Sequence, residues 1–331
     1  MRKEDGFLQI EHLKKYYPVK SNGFRFGKNR QVVKAVDDVS LTIQKGEVIG
    51  LVGESGCGKS TIVNTILNLT EPTSGSVVFD GRDLYRMSKE ELRKERKNIQ
   101  IVFQDPFWSL NPRRLIKDII GEPLKVQTKM NSEEILKRVE ELLEMLDLPK
   151  KSAYMYPHEF SNGERQRIAI ARALALTPKL VVLDEPTSSI DILSQVQILK
   201  LLNDLKDRFD LTYILISHDL SVVHYMSDRI VVMYLGKIVE AGDAEEVFSN
   251  PQHPYTQALF DAIPTMSTDS INKINVLKGG VPSAINVPKG CRFHTRCTKC
   301  LPCCSEKEPE MITLKNGVQV ACHLAAEQER R

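Results

Sequence analysis

The sequence predicts an α/β fold in which a parallel sheet carries a phosphate-binding loop, and three observations support this. Residues 53–61, GESGCGKST, fit the pattern G-x-x-x-x-G-K-[ST]. A short apolar strand pattern precedes them at 47–52, and a helical pattern with apolar positions at 62, 63, 66 and 67 follows. Strand and helix patterns alternate again between 161 and 217, which is typical of parallel strands joined by right-handed crossovers.

The loop itself is expected to bind the phosphates of a nucleotide. Glycines allow successive backbone N–H groups to point into one concavity without a Cβ in the way. Lys59 supplies a positive charge for the β- and γ-phosphates, and Ser60 supplies a hydroxyl for Mg²⁺. The expected binding residues are Gly53, Glu54, Ser55, Gly56, Cys57, Gly58, Lys59, Ser60 and Thr61.

Composition excludes several classes of protein. The 331 residues include 46 basic and 43 acidic side chains, a net charge of +3, so nothing in the charge favours a nucleic-acid partner. No apolar run approaches the roughly 20 residues that span a bilayer, and no signal segment follows the N-terminus, so a cytoplasmic chain is expected. Six of the seven cysteines lie after residue 290, and clustering of this kind in the cytosol favours a metal over disulfides.

The regions around the phosphate loop predict three further structural regions: N-terminal strands, a helical insert and a C-terminal extension. Alternating apolar positions in residues 7–45 favour antiparallel strands. Residues 105–156 form a helical insert, in which Ser132 is expected to cap an amphipathic helix. The pattern breaks near residue 250, which predicts a main domain over 1–250, with its helical subdomain at about 105–160, and a small cysteine-rich extension over 251–331.

Polar residues follow three apolar strands and are expected at one edge of the sheet. Gln104 follows the strand at 99–103, Asp184 and Glu185 end the strand at 180–185, and His218 follows the strand at 212–217. Ligands of parallel sheets bind outside the carboxyl ends of the strands. An ionised pair there needs partners, and Mg²⁺ for Asp184 with a water for Glu185 meets that need. Ser161 caps the next helix and creates a second potential anion site.

Taken together, residues 7–250 resemble the nucleotide-binding subunits of ABC transporters. The matching pieces, in chain order, are Leu13 and Tyr17 for the adenine-stacking A-loop, 53–61 for Walker A, Gln104 for the Q-loop, 161–164 for the signature motif, Asp184 and Glu185 for Walker B, and His218 for the switch histidine. The resemblance implies an ATPase in which Ser60, Gln104 and Asp184 order Mg²⁺. It further implies that Glu185 polarises the attacking water, while His218 contacts the γ-phosphate.

In this family two subunits sandwich ATP, and each presents its signature to the phosphate loop of the other. Ser161, Gly163 and Glu164 are therefore implied to contact the ATP held by a partner subunit. Here the signature departs from Ser-Gly-Gly-Gln at Asn162 and Glu164, and the D-loop reads SSID at 188–191 where alanine and leucine are usual. These departures leave two readings, a mild variant or a slow second site, and they suggest a second, different ATPase subunit.

Two features resemble the oligopeptide/dipeptide branch of the family: NPQHPYT at 250–256 and SLNPR at 109–113. This resemblance implies import of peptides, with nickel and sugars as alternative cargoes. The implied partners are two transmembrane permease subunits, a homologous ATPase subunit and, indirectly, an extracytoplasmic substrate-binding protein. The implied location is the cytoplasmic face of the cell membrane.

The spacing of Cys291, Cys297, Cys304 and Cys322 matches the related subunits, and the resemblance implies a [4Fe-4S] cluster held by these four thiolates. Two alternatives stay open from the residues alone. The run at 297, 300 and 303 also has ferredoxin-like spacing, and four thiolates suit Zn²⁺ equally well.

Two rival functions stay open as well. One is a non-transport ABC ATPase acting on nucleic acid or ribosomes, although such chains usually carry two ATPase units or long coiled coils. The other is an iron–sulfur regulatory module in which ATP is only a structural ligand. Glu185 and His218 argue against this second rival, because a structural ligand needs no catalytic groups.

Overall fold

The computed structural model describes residues 6–19, 31–188, 190–261 and 279–329. The described residues form twelve strands and eleven α-helices. The strands are β1 (Leu8–Pro18), β2 (Val32–Ile43), β3 (Val48–Val52), β4 (Ser74–Phe79), β5 (Arg82–Asp83), β6 (Ile99–Val102), β7 (Leu180–Asp184), β8 (Thr212–Ile216), β9 (Arg229–Tyr234), β10 (Lys237–Asp243), β11 (Ile312–Thr313) and β12 (Gln319–Val320). The helices are α1 (Lys59–Ile66), α2 (Lys89–Glu95), α3 (Pro106–Ser109), α4 (Ile116–Gln127), α5 (Ser132–Met145), α6 (Asn162–Leu174), α7 (Ile192–Phe209), α8 (Leu220–Met226), α9 (Ala244–Ser249), α10 (Pro254–Asp261) and α11 (His323–Glu329).

The chain divides into two compact units. The first comprises residues 1–43, 49–85 and 218–331, and the second comprises residues 44–48 and 86–217. The predicted boundary at residue 250 rests on the sequence pattern, and it stays a prediction.

The first unit contains two sets of strands. The predicted antiparallel strands are confirmed, since β1 pairs with both β2 and β4, and β5 extends β4. In the second set β3 runs parallel to β9, while β10 and β12 continue antiparallel from β9. All five residues of β3 are buried, because apolar side chains cover both of its faces. The phosphate loop and helix α1 therefore follow a fully buried strand.

The second unit combines a parallel sheet with helices. Strands β6, β7 and β8 run parallel, with Ile99 opposite Leu180 and Leu180 opposite Thr212. Helices α4, α5 and α6 pack against one another, and α5 is amphipathic as predicted, since it buries Ile135, Val139, Leu142 and Leu143. The predicted helical subdomain at about 105–160 contains α3, α4, α5 and two short 3-10 helices at Lys150–Tyr154 and Pro157–Glu159, and its extent as a subdomain stays a prediction.

The predicted cap of α5 was wrong by one residue. Asn131, not Ser132, is the N-cap, and its side chain accepts the backbone N–H groups of Glu133 and Glu134 at 3.0 Å. The Glu134 carboxylate in turn accepts the Asn131 N–H at 2.7 Å. The reciprocal capping box selects Asn131, because Glu134 stands three residues after it.

No helix within the described ranges combines the length and the apolar character that crossing a bilayer requires.

Candidate functional site

The phosphate loop joins β3 to α1 in a backbone conformation that demands glycine. Gly53, Gly56 and Gly58 have φ values of 146°, 79° and 114°. A Cβ at Gly53 would lie 2.3 Å from the Met233 carbonyl oxygen, and one at Gly58 would lie 2.3 Å from that of Ala35. Gly53 and Gly58 are therefore required by close backbone approach as well as by their torsion angles, whereas Gly56 is required by its torsion angle alone.

The loop ends at an uncapped helix N-terminus. Helix α1 starts at Lys59, and its N-cap, Gly58, offers no side-chain acceptor to the first N–H groups. The amine of Lys59 donates to the carbonyl oxygens of Gly53 at 2.6 Å and of Glu54 at 3.2 Å. Ser55 and Ser60 are exposed, whereas Cys57 is buried and burial raises the pKa of its thiol. Uncapped N–H groups beside a lysine suit a polyphosphate anion.

Two residues from the C-terminal part of the chain contact the loop at Glu54. The Arg296 guanidinium forms a bidentate ion pair with the Glu54 carboxylate, at 2.7 and 3.1 Å. The backbone N–H of Glu54 donates to the Tyr255 hydroxyl at 2.8 Å. From the sequence, Tyr255 is identified only as part of a family motif, and neither contact is predicted. No local sequence pattern indicates either of them.

The predicted adenine-stacking residue lies at the end of β1. The ring of Tyr17 is 36% exposed, whereas Leu13 is fully buried. Its neighbour Tyr16 instead donates its hydroxyl to the Asp37 carboxylate, which also pairs with Arg292. Of the two tyrosines, Tyr17 is the more exposed, although the Lys15 amine lies 5.0 Å from the centre of its ring, and its role in stacking stays a prediction.

The second unit brings the predicted Q-loop and Walker B residues together. Gln104 lies two residues after β6, Asp184 ends β7, and the Gln104 amide donates to the Glu185 carboxylate at 2.7 Å. Glu185 has a φ of 47°, a left-handed conformation that costs a non-glycine residue about 1–2 kcal/mol. Its backbone N–H donates to the Ile216 carbonyl at 2.8 Å, which fixes this turn. Strained backbone of this kind is typical of functional positions.

The predicted signature residues form the start of α6. Ser161 is the N-cap, its hydroxyl accepts the N–H of Glu164 at 3.3 Å, and the Glu164 carboxylate accepts the Ser161 N–H at 2.8 Å. Glu164, the departure from the usual glutamine, therefore completes a capping box. Gly163 is packed close to Ser194, since a Cβ there would lie 3.2 Å from the Ser194 side chain.

The remaining predicted residues are placed as follows. His218 is exposed, and the next residue, Asp219, caps α8 by accepting the N–H of Ser221 at 2.9 Å. In the predicted D-loop, Asp191 caps α7 through the N–H of Ser194 at 2.9 Å, and this bond lowers the pKa of its carboxyl. Ser189 lies outside the described residues.

The four cysteines predicted as metal ligands lie near one another in the first unit. Burial raises the pKa of the Cys291 thiol to about 12, and the other three thiols contribute to the rise: Cys304, Cys322 and Cys297. By contrast, the Cys300 side chain is exposed. Within the described ranges, however, no three or more His, Cys, Asp and Glu side chains are arranged to hold a metal ion. The cysteines are neighbours, then, without forming a coordination site.

Comparison with known proteins gives a consistent result. The family described as "ABC transporter" matches residues 36–188, and "Oligopeptide/dipeptide transporter, C-terminal region" matches 239–304. The oligopeptide transport ATP-binding protein AppF of Bacillus subtilis is 49% identical over 97% of this chain and 98% of its own. The dipeptide transport ATP-binding protein DppF of Haemophilus influenzae is 46% identical over 94% of both chains.

Solved structures agree at the level of the fold and the family. The ATP-binding cassette MJ0796, in a dimeric post-hydrolysis state with ADP and Pi, has a TM-score of 0.62 and 31% identity, covering 72% of this chain and 98% of its own. CbiO1 of Clostridium perfringens has a TM-score of 0.63 and 30% identity, covering 75% and 92%. With the near full-length relatives, these matches establish that the chain is an ABC-type ATPase of the ABC transporter family and carries the C-terminal region of its oligopeptide/dipeptide branch.

Proposed function

We propose that this chain is the subunit that hydrolyses ATP to power the import of di- or oligopeptides through a membrane transporter. The observation that carries the proposal is similarity to AppF and DppF over almost the whole chain, including the C-terminal region at 239–304. Nickel and sugars are the alternative cargoes. An ATPase subunit does not itself touch the cargo, so the choice rests on relatives whose names specify peptides.

In the proposed reaction the protein supplies positions and charges. Lys59 and the N–H groups of the phosphate loop hold the phosphates, and Tyr17 stacks on the adenine. Ser60, Gln104 and Asp184 have the oxygen atoms that would hold Mg²⁺, which when bound would neutralise charge on the phosphates.

The same proposal assigns the chemical step to Glu185 and His218. The Glu185 carboxylate accepts a hydrogen bond from the attacking water and orients it, while His218 contacts the γ-phosphate. The hydrogen bond from Gln104 fixes the Glu185 carboxylate, since a short bond to an ionised acceptor is strong.

We propose that a homologous, different ATPase subunit completes the sandwich, with Ser161, Gly163 and Glu164 facing the partner's ATP. Two transmembrane permease subunits dock on the helical insert, and a substrate-binding protein delivers the peptide from the other side of the membrane. In this proposed assembly the chain lies at the cytoplasmic face of the membrane.

A pull-down with mild detergent from the organism's own membranes tests this assembly. Proteins that co-purify with the tagged chain are identified by mass spectrometry, with untagged membranes as the control. Two multi-spanning proteins, a second ATPase and a substrate-binding protein are expected, and peptide bound to the last would identify the cargo. Recovery of ribosomes or nucleic acid instead would favour the non-transport function.

We propose further that Cys291, Cys297, Cys304 and Cys322 are the ligands of a [4Fe-4S] cluster, with Zn²⁺ as the alternative metal. Burial supports this set over the run at 297, 300 and 303, because the Cys300 side chain is exposed whereas the four proposed ligands are buried or half-buried. Metal analysis after anaerobic purification is the test, and roughly four irons per chain are expected. Cys291→Ser should lose them and the control Cys300→Ser should keep them. Stoichiometric zinc, or equal iron in both variants, would contradict the assignment.

A further inference from the structure

The phosphate loop carries an acidic residue at its second position, and the structure neutralises that charge from a distant part of the chain. Glu54 directly follows Gly53, and its partner Arg296 is 242 residues further along. A carboxylate beside a polyphosphate site repels the ligand unless a cation pairs with it. Arg296 supplies that cation in the bidentate geometry that carboxylates accept best.

Arg296 is held firmly enough to fix the carboxylate. Its side chain is only 5% exposed, and that of Glu54 is 25% exposed. The guanidinium lies 5.9 Å from the centre of the Tyr234 ring and contacts its hydroxyl at 3.4 Å. The guanidinium carries its positive charge throughout, because arginine does not deprotonate in proteins. A buried guanidinium packed on an aromatic ring has few other positions to adopt.

Tyr255 holds the backbone of the same loop residue, and its own position is fixed at the start of α10. The Nδ1 atom of His253 accepts the Tyr255 N–H at 3.0 Å. The buried carboxylate of Glu240 accepts the N–H groups of Gln252 at 2.7 Å and of His253 at 2.9 Å. The Tyr255 ring packs against Phe293, with their centroids 5.4 Å apart. These contacts hold the Tyr255 hydroxyl in position to accept the hydrogen bond from the Glu54 N–H.

We propose that Arg296 and Tyr255 are positioning residues for ATP binding, which act by clamping Glu54 in the phosphate loop. Arg296 cancels the charge of the Glu54 carboxylate, and Tyr255 fixes the direction of its peptide group. The orientation of the Glu54 peptide group matters because the N–H groups of the next loop residues must all point at the phosphates. The inference deepens the proposed function and rests on ATP binding at the phosphate loop.

Titration of ATP into the full-length chain in EDTA, followed by calorimetry, measures binding without hydrolysis. Arg296→Gln leaves the Glu54 carboxylate unpaired, and we expect its Kd to rise about tenfold. Arg296→Lys keeps the charge without the bidentate geometry and should stay within about threefold of wild type. The matched control is Lys299→Ala, which removes a cation from the same segment whose partner is Gln257, at 2.8 Å. Its Kd should equal that of wild type.

A second substitution separates charge cancellation from a merely structural role. Adding Glu54→Gln to Arg296→Gln removes the unpaired carboxylate, so the Kd should return to within about threefold of wild type. If Arg296 only supports the local fold, the double variant should bind ATP no better than Arg296→Gln. Tyr255→Phe keeps the ring packing and removes the hydroxyl, and its Kd should rise about fivefold.

Lys59→Ala, measured in parallel, distinguishes failure of the inference from failure of the proposed site. If Lys59→Ala loses ATP while Arg296→Gln and Tyr255→Phe bind as wild type does, the clamp is overturned and the site stands. If Lys59→Ala also binds as wild type does, the phosphate loop is not the ATP site and both proposals fail. Should Arg296→Gln not fold, Tyr255→Phe decides, and an unchanged Kd in that variant overturns the clamp.

Discussion

His253 lies at the start of α10 in surroundings that keep its imidazole neutral. Its side chain is buried, and its Nδ1 atom accepts the backbone N–H of Tyr255 at 3.0 Å. Burial lowers the pKa of His253 from its ordinary value of 6.5 to about 3. In the unfolded chain the same imidazole takes up a proton near pH 6.5. Acidification is therefore expected to destabilise the folded protein through this residue.

The size of this effect follows from the pKa difference. Above pH 6.5 the imidazole is neutral in both states, so it contributes nothing to the pH dependence. Between pH 6.5 and pH 3 only the unfolded state binds the proton, and each unit costs the folded state about 1.4 kcal/mol. At pH 5 the cost is therefore about 2 kcal/mol, and any folded-state pKa below about 4 gives nearly the same value.

Urea unfolding of wild type and His253→Asn at pH 7.5 and pH 5.0 measures the effect. Asparagine does not titrate, and its side-chain oxygen can replace Nδ1 as the acceptor for the N–H of residue 255. Burial raises the pKa of Glu240, so acidification stabilises the folded protein through this carboxyl and opposes the effect of His253. Glu240 is present in both proteins, and its contribution therefore cancels in the comparison. Between pH 7.5 and 5.0 the free energy of unfolding of wild type should fall by about 2 kcal/mol more than that of His253→Asn. Equal falls in the two proteins would refute the reasoning.

Three further outcomes are expected. Glu185→Gln should bind ATP but turn it over about 10²–10³-fold more slowly in a steady-state ATPase assay, and turnover like wild type would remove Glu185 from the mechanism. Gly53→Ala should lower the free energy of unfolding by more than about 2 kcal/mol because its Cβ meets backbone, whereas Gly56→Ala, with open space around it, should cost about 1 kcal/mol in the same urea titration. Asn131→Ala should cost about 1 kcal/mol, and Asn131→Asp should cost less than about 0.5 kcal/mol; equal losses would contradict the capping box.

Local patterns predicted much of the fold and of the candidate site. The loop at 53–61 was identified because its glycines, lysine and flanking elements lie within one short stretch. The hydrogen bond between Gln104 and Glu185 agrees with the expected edge of a parallel sheet, since both follow neighbouring strands. The exact residue at which a helix begins was harder to predict. Ser132 and Asn131 are both good caps, and only the three-residue spacing to Glu134 separates them.

Long-range pairs could not be predicted in the same way. Nothing near Glu54 indicates which of the 46 basic side chains will pair with it, and Arg296 is 242 residues away. Tyr255 stood out as part of a family motif, but its hydroxyl reaches the loop only because β9, β10 and α10 pack around one apolar cluster. Such contacts depend on tertiary packing, and no periodic pattern in the sequence indicates them.

Peptide uptake by cells tests the central claim most directly. Cells in which the chromosomal copy is deleted are complemented with wild type or with Glu185→Gln at equal protein levels, and uptake of a radiolabelled oligopeptide is followed. Wild type should restore uptake and Glu185→Gln should not, although it still joins the membrane complex. Equal restoration by both, or uptake that does not depend on the chain at all, would contradict an ATP-driven role in peptide import.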